Sequence, residues 1–287
     1  MRNKGVHTMK FTVLMTVYAK ETPECFDSSL KSILVDQTVL PDQFVLVYDG
    51  PVTDELKAVT EKYRKLFPNT FDVLELPENV GQGAASRAGV QLCKHELLAR
   101  MDSDDISYKE RFQMELAVFE EDPDVDVVAG FITEFTGDPA NITSVKTVPE
   151  THEQIVKRFR KRNPVNNVTV MYKKEALEQA GGYLPVRANE DFNLYIRLLL
   201  AGKKFYNIQQ PLVNVRVGSN MLERRGKIDI FYAWKSNQKL LLQGGIINWP
   251  QYVMNCAGCY FFVKCPVPVK RFLYRYVLRK TGNSQER

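Results

Sequence analysis

The first hundred residues repeat one pattern, a short and continuously apolar segment followed by a longer segment with helical signals. "FTVLMTV" (11–17), "FVLVYD" (44–49), "FDVLEL" (71–76) and the run 96–101 read as strands. Between them Pro23 opens a helical stretch to Val35, Thr53-Asp54-Glu55 starts one reaching Phe67, and a third runs from Gly83 to Lys94. Strands that are apolar on both faces are buried on both faces. The alternation therefore predicts an α/β fold in which a mostly parallel sheet carries helices on its two sides. In such sheets ligands bind beyond the carboxyl ends of the strands. Tyr18, Asp49, Pro77-Glu78-Asn79 and Asp102 fall at those ends and are expected to converge on one crevice.

Beyond residue 108 the pattern loosens: a helix at 108–121, a strand at 125–130, less regular strands to 147, then a helix at 151–160, a strand at 168–172 and helices at 173–180 and 190–201. The stretch after 228 reads as helical, over 228–243, 250–263 and 268–280. We expect a loose leader at 1–9, one α/β domain at 10–214 and a basic helical region at 215–287. Charge supports that last division. The net charge of +5 conceals a balance of +10 in residues 215–287, with thirteen Lys or Arg against three Asp or Glu, and −5 elsewhere. One end of the chain is expected to meet something anionic. The five cysteines are scattered, and Cys256-x-x-Cys259 has no second pair at zinc-ligand spacing, so idle thiols in a reducing compartment are expected. The basic start before "FTVLMTVYA" imitates a signal peptide, but Lys20 and Glu21 follow at once without a small-x-small cleavage site. No apolar run is long enough to span a bilayer.

"ARMDSDDISYKE" (99–110) concentrates three carboxylates, Asp102, Asp104 and Asp105, directly after an apolar strand. A strand-to-helix turn needs one such cap, and like charges this close repel. Upstream, "ENVGQGAASRAGV" (78–90) is a glycine-rich loop entering a helix, where Gly81 and Gly83 permit close backbone approach and the helix start attracts phosphate. A dinucleotide-binding fingerprint is the first comparison. Here, however, Ser86 stands at its third glycine, the loop follows the third strand, and three acids would repel a diphosphate. Carboxylates beside a diphosphate make sense when a divalent cation, Mg²⁺ or Mn²⁺, stands between them.

With these motifs in order, the sequence resembles inverting glycosyltransferases of family 2 with the GT-A nucleotide-diphospho-sugar transferase fold, in particular the subgroup that builds bacterial capsular and exopolysaccharide units. The segments that carry the resemblance are "VLMTVYAKE" (13–21), "VLVYDGPVTDEL" (45–56), "LPENVGQGAASRAGV" (76–90), "ARMDSDD" (99–105), "VTVMYKKEALEQAGGY" (168–183) and "NEDFNLYIRLLLAG" (189–202), which together span residues 10–215. The resemblance implies that Thr16, Val17 and Tyr18 line the nucleotide pocket with Glu21 nearby, and that Asp49 and Arg87 face the base, most often uracil. It implies that Asn79 and Gly81 to Gly83 shape the wall around ribose and diphosphate. Asp102 and Ser103 would contact the ribose, Asp104 with Asp102 would hold the metal, and Asp191, with Glu190 beside it, would be the catalytic base. A carboxylate that deprotonates an acceptor hydroxyl opposite the departing diphosphate gives inversion, so an α-linked donor yields a β-linked product.

The Gln-x-x-Arg-Trp element of processive relatives is missing after Asp191, which favours a single sugar addition. Arg216 and Arg224-Arg225 are candidates for a basic flap over the diphosphate. A competing reading is a non-catalytic nucleotide-sugar-binding subunit of a polysaccharide assembly complex, but Asp102-x-Asp104 and Glu190-Asp191 are more than a binder requires. In "VPVKRFLYRYVLRK" (267–280), Val269, Phe272, Leu273, Tyr276 and Val277 form one apolar stripe flanked by five cations. Such a helix can lie on an anionic membrane or pack on a partner subunit, including a second copy of the chain. Acceptors of transferases of this kind are often lipid-linked at the cytoplasmic leaflet. The expectation is therefore a cytoplasmic protein, peripheral at the inner face of the plasma membrane, with a nucleotide-sugar donor, a lipid-linked saccharide acceptor and no nucleic acid as partners.

Overall fold

The structure, a computed structural model, describes residues 9–186, 188–217 and 228–266. The stripe at 267–280, Arg224-Arg225 and residues 1–8 of the leader lie outside the described residues. Four parallel strands come first: β1 (Phe11–Val17), β2 (Gln43–Tyr48), β3 (Phe71–Glu75) and β4 (Leu97–Asp102). They stand in the order β3-β2-β1-β4. The connecting helices α1 (Pro23–Leu34), α2 (Asp54–Leu66) and α3 (Gln82–Val90) begin close to where the sequence places them. Thr22 and Thr53 cap the first two by accepting from backbone N–H groups three residues on.

Beyond β4 the sheet becomes mixed. β8 (Met171–Lys173) runs antiparallel to β4 and is followed by β6 (Val127–Phe135), β9 (Phe205–Arg216) and β5 (Ile106–Ser107), while β7 (Ile142–Lys146) hangs on β6. Parallel and antiparallel pairings thus share the sheet, and the longest ladders are the parallel ones, in keeping with the mostly parallel pairing that the sequence pattern predicts. β9 has no counterpart among the expected strands. It carries Pro211 and polar Gln209-Gln210, which ordinarily argue against a strand. The ladder absorbs them in a register shift, Gly130 pairing with Ile208 and Phe131 with Pro211. β9 ends at Arg216, two residues beyond the expected boundary at 214.

Apolar layers fill both faces. One packs Val13, Met15, Phe44 and Met101 against α1, α2 and α4 (Arg111–Glu121). The other packs Leu14, Val47, Leu98 and Val127 against α3, α5 (His152–Phe159), α6 (Lys174–Gln179) and α7 (Glu190–Leu200). The C-terminal helices α8 (Ile228–Gln243) and α9 (Trp249–Lys264) join this second layer. Leu241 and Ile247 are buried in it, Trp234 stacks on Phe192 of α7 with ring centroids 5.5 Å apart, and Asn193 donates to Asn237 at 2.9 Å. No helix among the described residues is long and apolar enough to cross a membrane.

One ion pair sits wholly inside the protein. Arg111 and Glu115, both fully buried on α4, meet at 3.0 Å, and the same guanidinium donates to the Arg100 carbonyl on β4 at 2.8 Å. Burial pushes the Glu115 carboxyl up to about 7 despite its partner. Removing one partner strands a buried charge. Glu115→Ala is therefore expected to lower unfolding stability by about 3–5 kcal/mol, whereas the double variant Arg111→Met/Glu115→Leu loses less. Urea denaturation of the three proteins checks the order.

Candidate active site

The parallel register brings three strand ends together. Thr16 pairs with Asp102 on one side and Val47 on the other, and Val17 pairs with Tyr48. Paired residues of a parallel ladder face the same side, so Thr16 stands beside Asp102. Val17 faces the opposite side: its side chain is 1% exposed in the core, and its carbonyl accepts from Asp49 N at 2.8 Å. The nucleotide-lining role expected of Val17 thus has no side chain at the crevice; the residue supports the turn instead. Tyr18 follows, exposed.

Asp49 is buried, and its carboxylate accepts from Val80 N at 2.7 Å and Gly81 N at 3.1 Å; its carbonyl accepts from the Asn79 side chain at 3.1 Å. The residue expected to read a base thus also ties the glycine-rich loop to the sheet. Gly50 makes the approach possible: it has φ +84°, and a Cβ there would lie 2.7 Å from Asn79 N. Gly83 does the same further on, where an added Cβ would meet Leu184 O at 3.0 Å and Glu190 at 3.6 Å. The start of α3 therefore lies against the start of α7. Arg87 is exposed on α3.

The three clustered acids have different surroundings. Asp102 accepts from Gln82 at 2.8 Å and from Arg100 at 2.7 Å. Arg100 is almost fully buried, which works against its charge, but the attraction and hydrogen bond of Asp102 together with Tyr183 and Tyr195 hold its proton more tightly overall. Asp105, also buried, turns to β9, where it accepts from Arg216 N at 2.8 Å. Asp104 is left between them. Burial, Asp102 and Glu21 push its carboxyl up to about 6, against a partial offset from Arg216, whose Nε donates to the Asp104 carbonyl at 3.2 Å and whose guanidinium covers the Phe135 ring. Ser103 donates to Glu21 at 2.7 Å, which holds Glu21 beside this loop.

Glu190 and Asp191 open α7 after Asn189, a non-glycine residue in the left-handed region with φ 52°. Asn is among the residues that tolerate it, and the Asn189 carbonyl accepts from Asn193 N at 3.0 Å and Asn237 at 3.4 Å. Burial and then Asp191 push the Glu190 carboxyl up, and Arg100 opposes them. Asp191 sits in the first helical turn, where the backbone favours a negative charge, and it accepts from Asn163 at 3.1 Å.

The structure therefore brings Thr16, Glu21, Asp49, Asn79, Gly81, Gly83, Asp102, Ser103, Asp104 and Glu190 into one connected region, with Asp191 joined through Glu190. Arg100 and Asn163 belong to it and are not among the residues expected from the sequence; Gln82, inside the expected 81–83 stretch, adds its side chain by donating to Asp102. Arg100 was detectable, because strand alternation puts Leu98, Arg100 and Asp102 on one face. Asn163 gave no local signal.

A mixed α/β sheet with carboxylates gathered at the ends of its parallel strands is the architecture of GT-A type. Solved structures share the fold: Staphylococcus aureus TarS 1-349 in complex with UDP-GlcNAc (TM-score 0.66, 17% identity, 91% of this chain and 78% of that one), and the mannosyltransferase PcManGT of Pyrobaculum calidifontis in complex with GDP-Man and Mn²⁺ (TM-score 0.61, 14% identity, 94% and 80%). The chain belongs to glycosyl transferase family 2, whose model matches residues 12–181. It is 37% identical to the amylovoran biosynthesis glycosyltransferase AmsE of Erwinia amylovora, over 92% of this chain and 97% of that one. It is 32% identical to the UDP-Gal:alpha-D-GlcNAc-diphosphoundecaprenol beta-1,3-galactosyltransferase of Escherichia coli, over 95% and 98%.

The surroundings of Asp104 and Asp105 predict opposite responses to truncation. Asp105→Ala strands the Arg216 N–H and is expected to lower stability by about 1–3 kcal/mol. Asp104→Ala relieves charge crowding and is expected to leave stability unchanged or raise it. Thermal unfolding of both variants near neutral pH distinguishes them.

Proposed function

We propose that the chain transfers one sugar from a nucleoside-diphosphate sugar, UDP-linked, to a hydroxyl of a lipid-linked saccharide in bacterial surface polysaccharide synthesis, with metal dependence and inversion at the anomeric carbon. The observation that carries this reading is Asp104, a carboxylate crowded by Asp102 and Glu21 at the mouth of the strand crevice. Among the described residues no three His, Cys, Asp or Glu side chains form a metal cage. That suits a cation such as Mg²⁺ or Mn²⁺, which is commonly held by one or two carboxylates and completed by substrate phosphates and water. Asp104 and Asp102 are the residues that would hold it. When bound, it would offset the negative charge that develops on the leaving diphosphate.

The remaining roles fall to this chain's own groups. Asp49 and Asn79 fix the loop on which the nucleotide rests, and Thr16, Tyr18 and Arg87 border it. Gln82 and Arg100 hold Asp102 in one orientation toward the ribose. Asp191, held at its Oδ2 by Asn163, takes the proton of the attacking hydroxyl. UDP as donor nucleotide and a diphosphate-linked lipid as acceptor agree with the name of the Escherichia coli relative, and a UDP-sugar complex agrees with TarS.

Asp104→Ala is expected to abolish Mn²⁺-dependent UDP binding in calorimetric titration; undiminished metal-dependent affinity would remove the metal from this residue. Asp191→Asn keeps the shape and loses the basicity, so donor affinity should persist while turnover falls by about 10²–10⁴. Near-normal turnover would move the base to Glu190.

The basic stripe at 267–280 extends the proposal to the membrane. Its cations would contribute about 1 kcal/mol each near an anionic surface. Binding to phosphatidylglycerol vesicles should weaken with salt and disappear when residues 264–287 are deleted. Equal co-sedimentation with neutral vesicles, or full binding by the truncated chain, would refute the stripe as anchor.

A further inference from the structure

Apart from the crevice, the chain carries a second concentration of charge, "KRFRKR" at 157–162, with five cations in six positions. Ile155 and Phe159 of α5 are buried in the core, which leaves Lys157, Arg160, Lys161 and Arg162 exposed and Arg158 half-buried. Among the described residues none of Lys157, Arg158, Arg160 and Lys161 forms an ion pair. The like charges act on one another: burial, then the charge of Arg162, pushes the Arg158 guanidinium down. Cations clustered in this way create a local positive potential that attracts an anion, and guanidiniums match phosphate oxygens in pairs.

Two hydrogen bonds place this run between other features. The next residue, Asn163, donates to Asp191 at 3.1 Å, so the run leads directly to the candidate base. On its other side, Asn255 of α9 donates to the Arg160 carbonyl at 2.7 Å and to Gln238 at 2.7 Å. α9 has an unusual outer side. Trp249, Met254 and Phe261 are 64%, 65% and 63% exposed, Val253 and Tyr260 are exposed with them, and Lys264 is the helix's one charged residue.

We infer that the cationic run 157–161 is the seat of the acceptor's diphosphate, with the apolar side of α9 facing the lipid to which that diphosphate is attached. The inference rests on the proposed lipid-linked acceptor and names the part of the protein that would recognise it. A saccharide joined through a diphosphate to a lipid presents a sugar hydroxyl, then two phosphates, then hydrocarbon. The protein presents Asp191, then the cations, joined to it through Asn163, then α9, joined to the cations through Asn255 on its inward side and apolar on its outward side. The donor's diphosphate belongs to other elements, β4 and α3.

The test is titration of the full chain, with UDP and Mn²⁺ present at saturation, using farnesyl diphosphate as the probe. A triple variant Lys157→Gln/Arg160→Gln/Lys161→Gln is the comparison; all three side chains are at or near the surface, and unchanged UDP affinity certifies its fold. The expected result is binding by the wild type that weakens at least about tenfold in the variant and is competed by inorganic pyrophosphate. Equal affinities, or a wild type that binds UDP but no farnesyl diphosphate, overturn the inference. Charge-dependent binding to phosphatidylglycerol vesicles without any binding of farnesyl diphosphate also overturns it, and assigns the run to lipid headgroups. A wild type that does not bind UDP contradicts the nucleotide-sugar reading instead.

Discussion

The hydrogen-bond ladder that joins β2, β1 and β4 in parallel sets the position of almost every polar group at the crevice. Its register puts Thr16 beside Asp102 and carries β2 to Asp49 at the same edge. A slip of one residue between β1 and β4 would separate Thr16 from Asp102 and place them on opposite faces of the sheet. The buried Arg111 adds to the alignment from behind by holding the Arg100 carbonyl.

From that alignment the acidic cluster acquires a division of labour. Asp105 is a structural residue, joining the loop after β4 to the far end of β9 through a backbone N–H. Asp102 is neutralised locally by a buried guanidinium and oriented by an amide. Asp104 is held in a site that disfavours its charge. Burial and its two neighbours disfavour the charge of Asp105 still more, but its carboxylate already accepts from Arg216 N, so under the proposed function Asp104, with Asp102, is the carboxylate left to meet a cation.

The first four strands were legible because both their faces are covered, so each reads as an unbroken apolar run with a capped helix after it. β9 was not, since Pro211 and two glutamines hide a strand whose irregularity is taken up by a register shift. At the site, motif order points to Asp49, Asp104 and Glu190-Asp191, but it does not tell which way a side chain faces: that of Val17 lies in the core, and only its backbone reaches the strand end. Asn163 was missed for a different reason: it reaches Asp191 across 28 positions of sequence, and nothing local marks it. α9 shows the same limit on a larger scale. Its helical pattern is legible, but not the face it presents: Trp249, Met254 and Phe261 lie outward while Leu241 and Ile247 before it are buried.

On the proposed function Asp104, with Asp102 and not Asp105, is the carboxylate that meets a cation. Anomalous scattering from Mn²⁺ in crystals of the chain grown with UDP tests it directly. The prediction is one peak within coordination distance of Asp104, shared with the diphosphate, with Asp105 still accepting from Arg216 N. A peak ligated by Asp105, or UDP bound in the crevice with no Mn²⁺ beside Asp104, would contradict it.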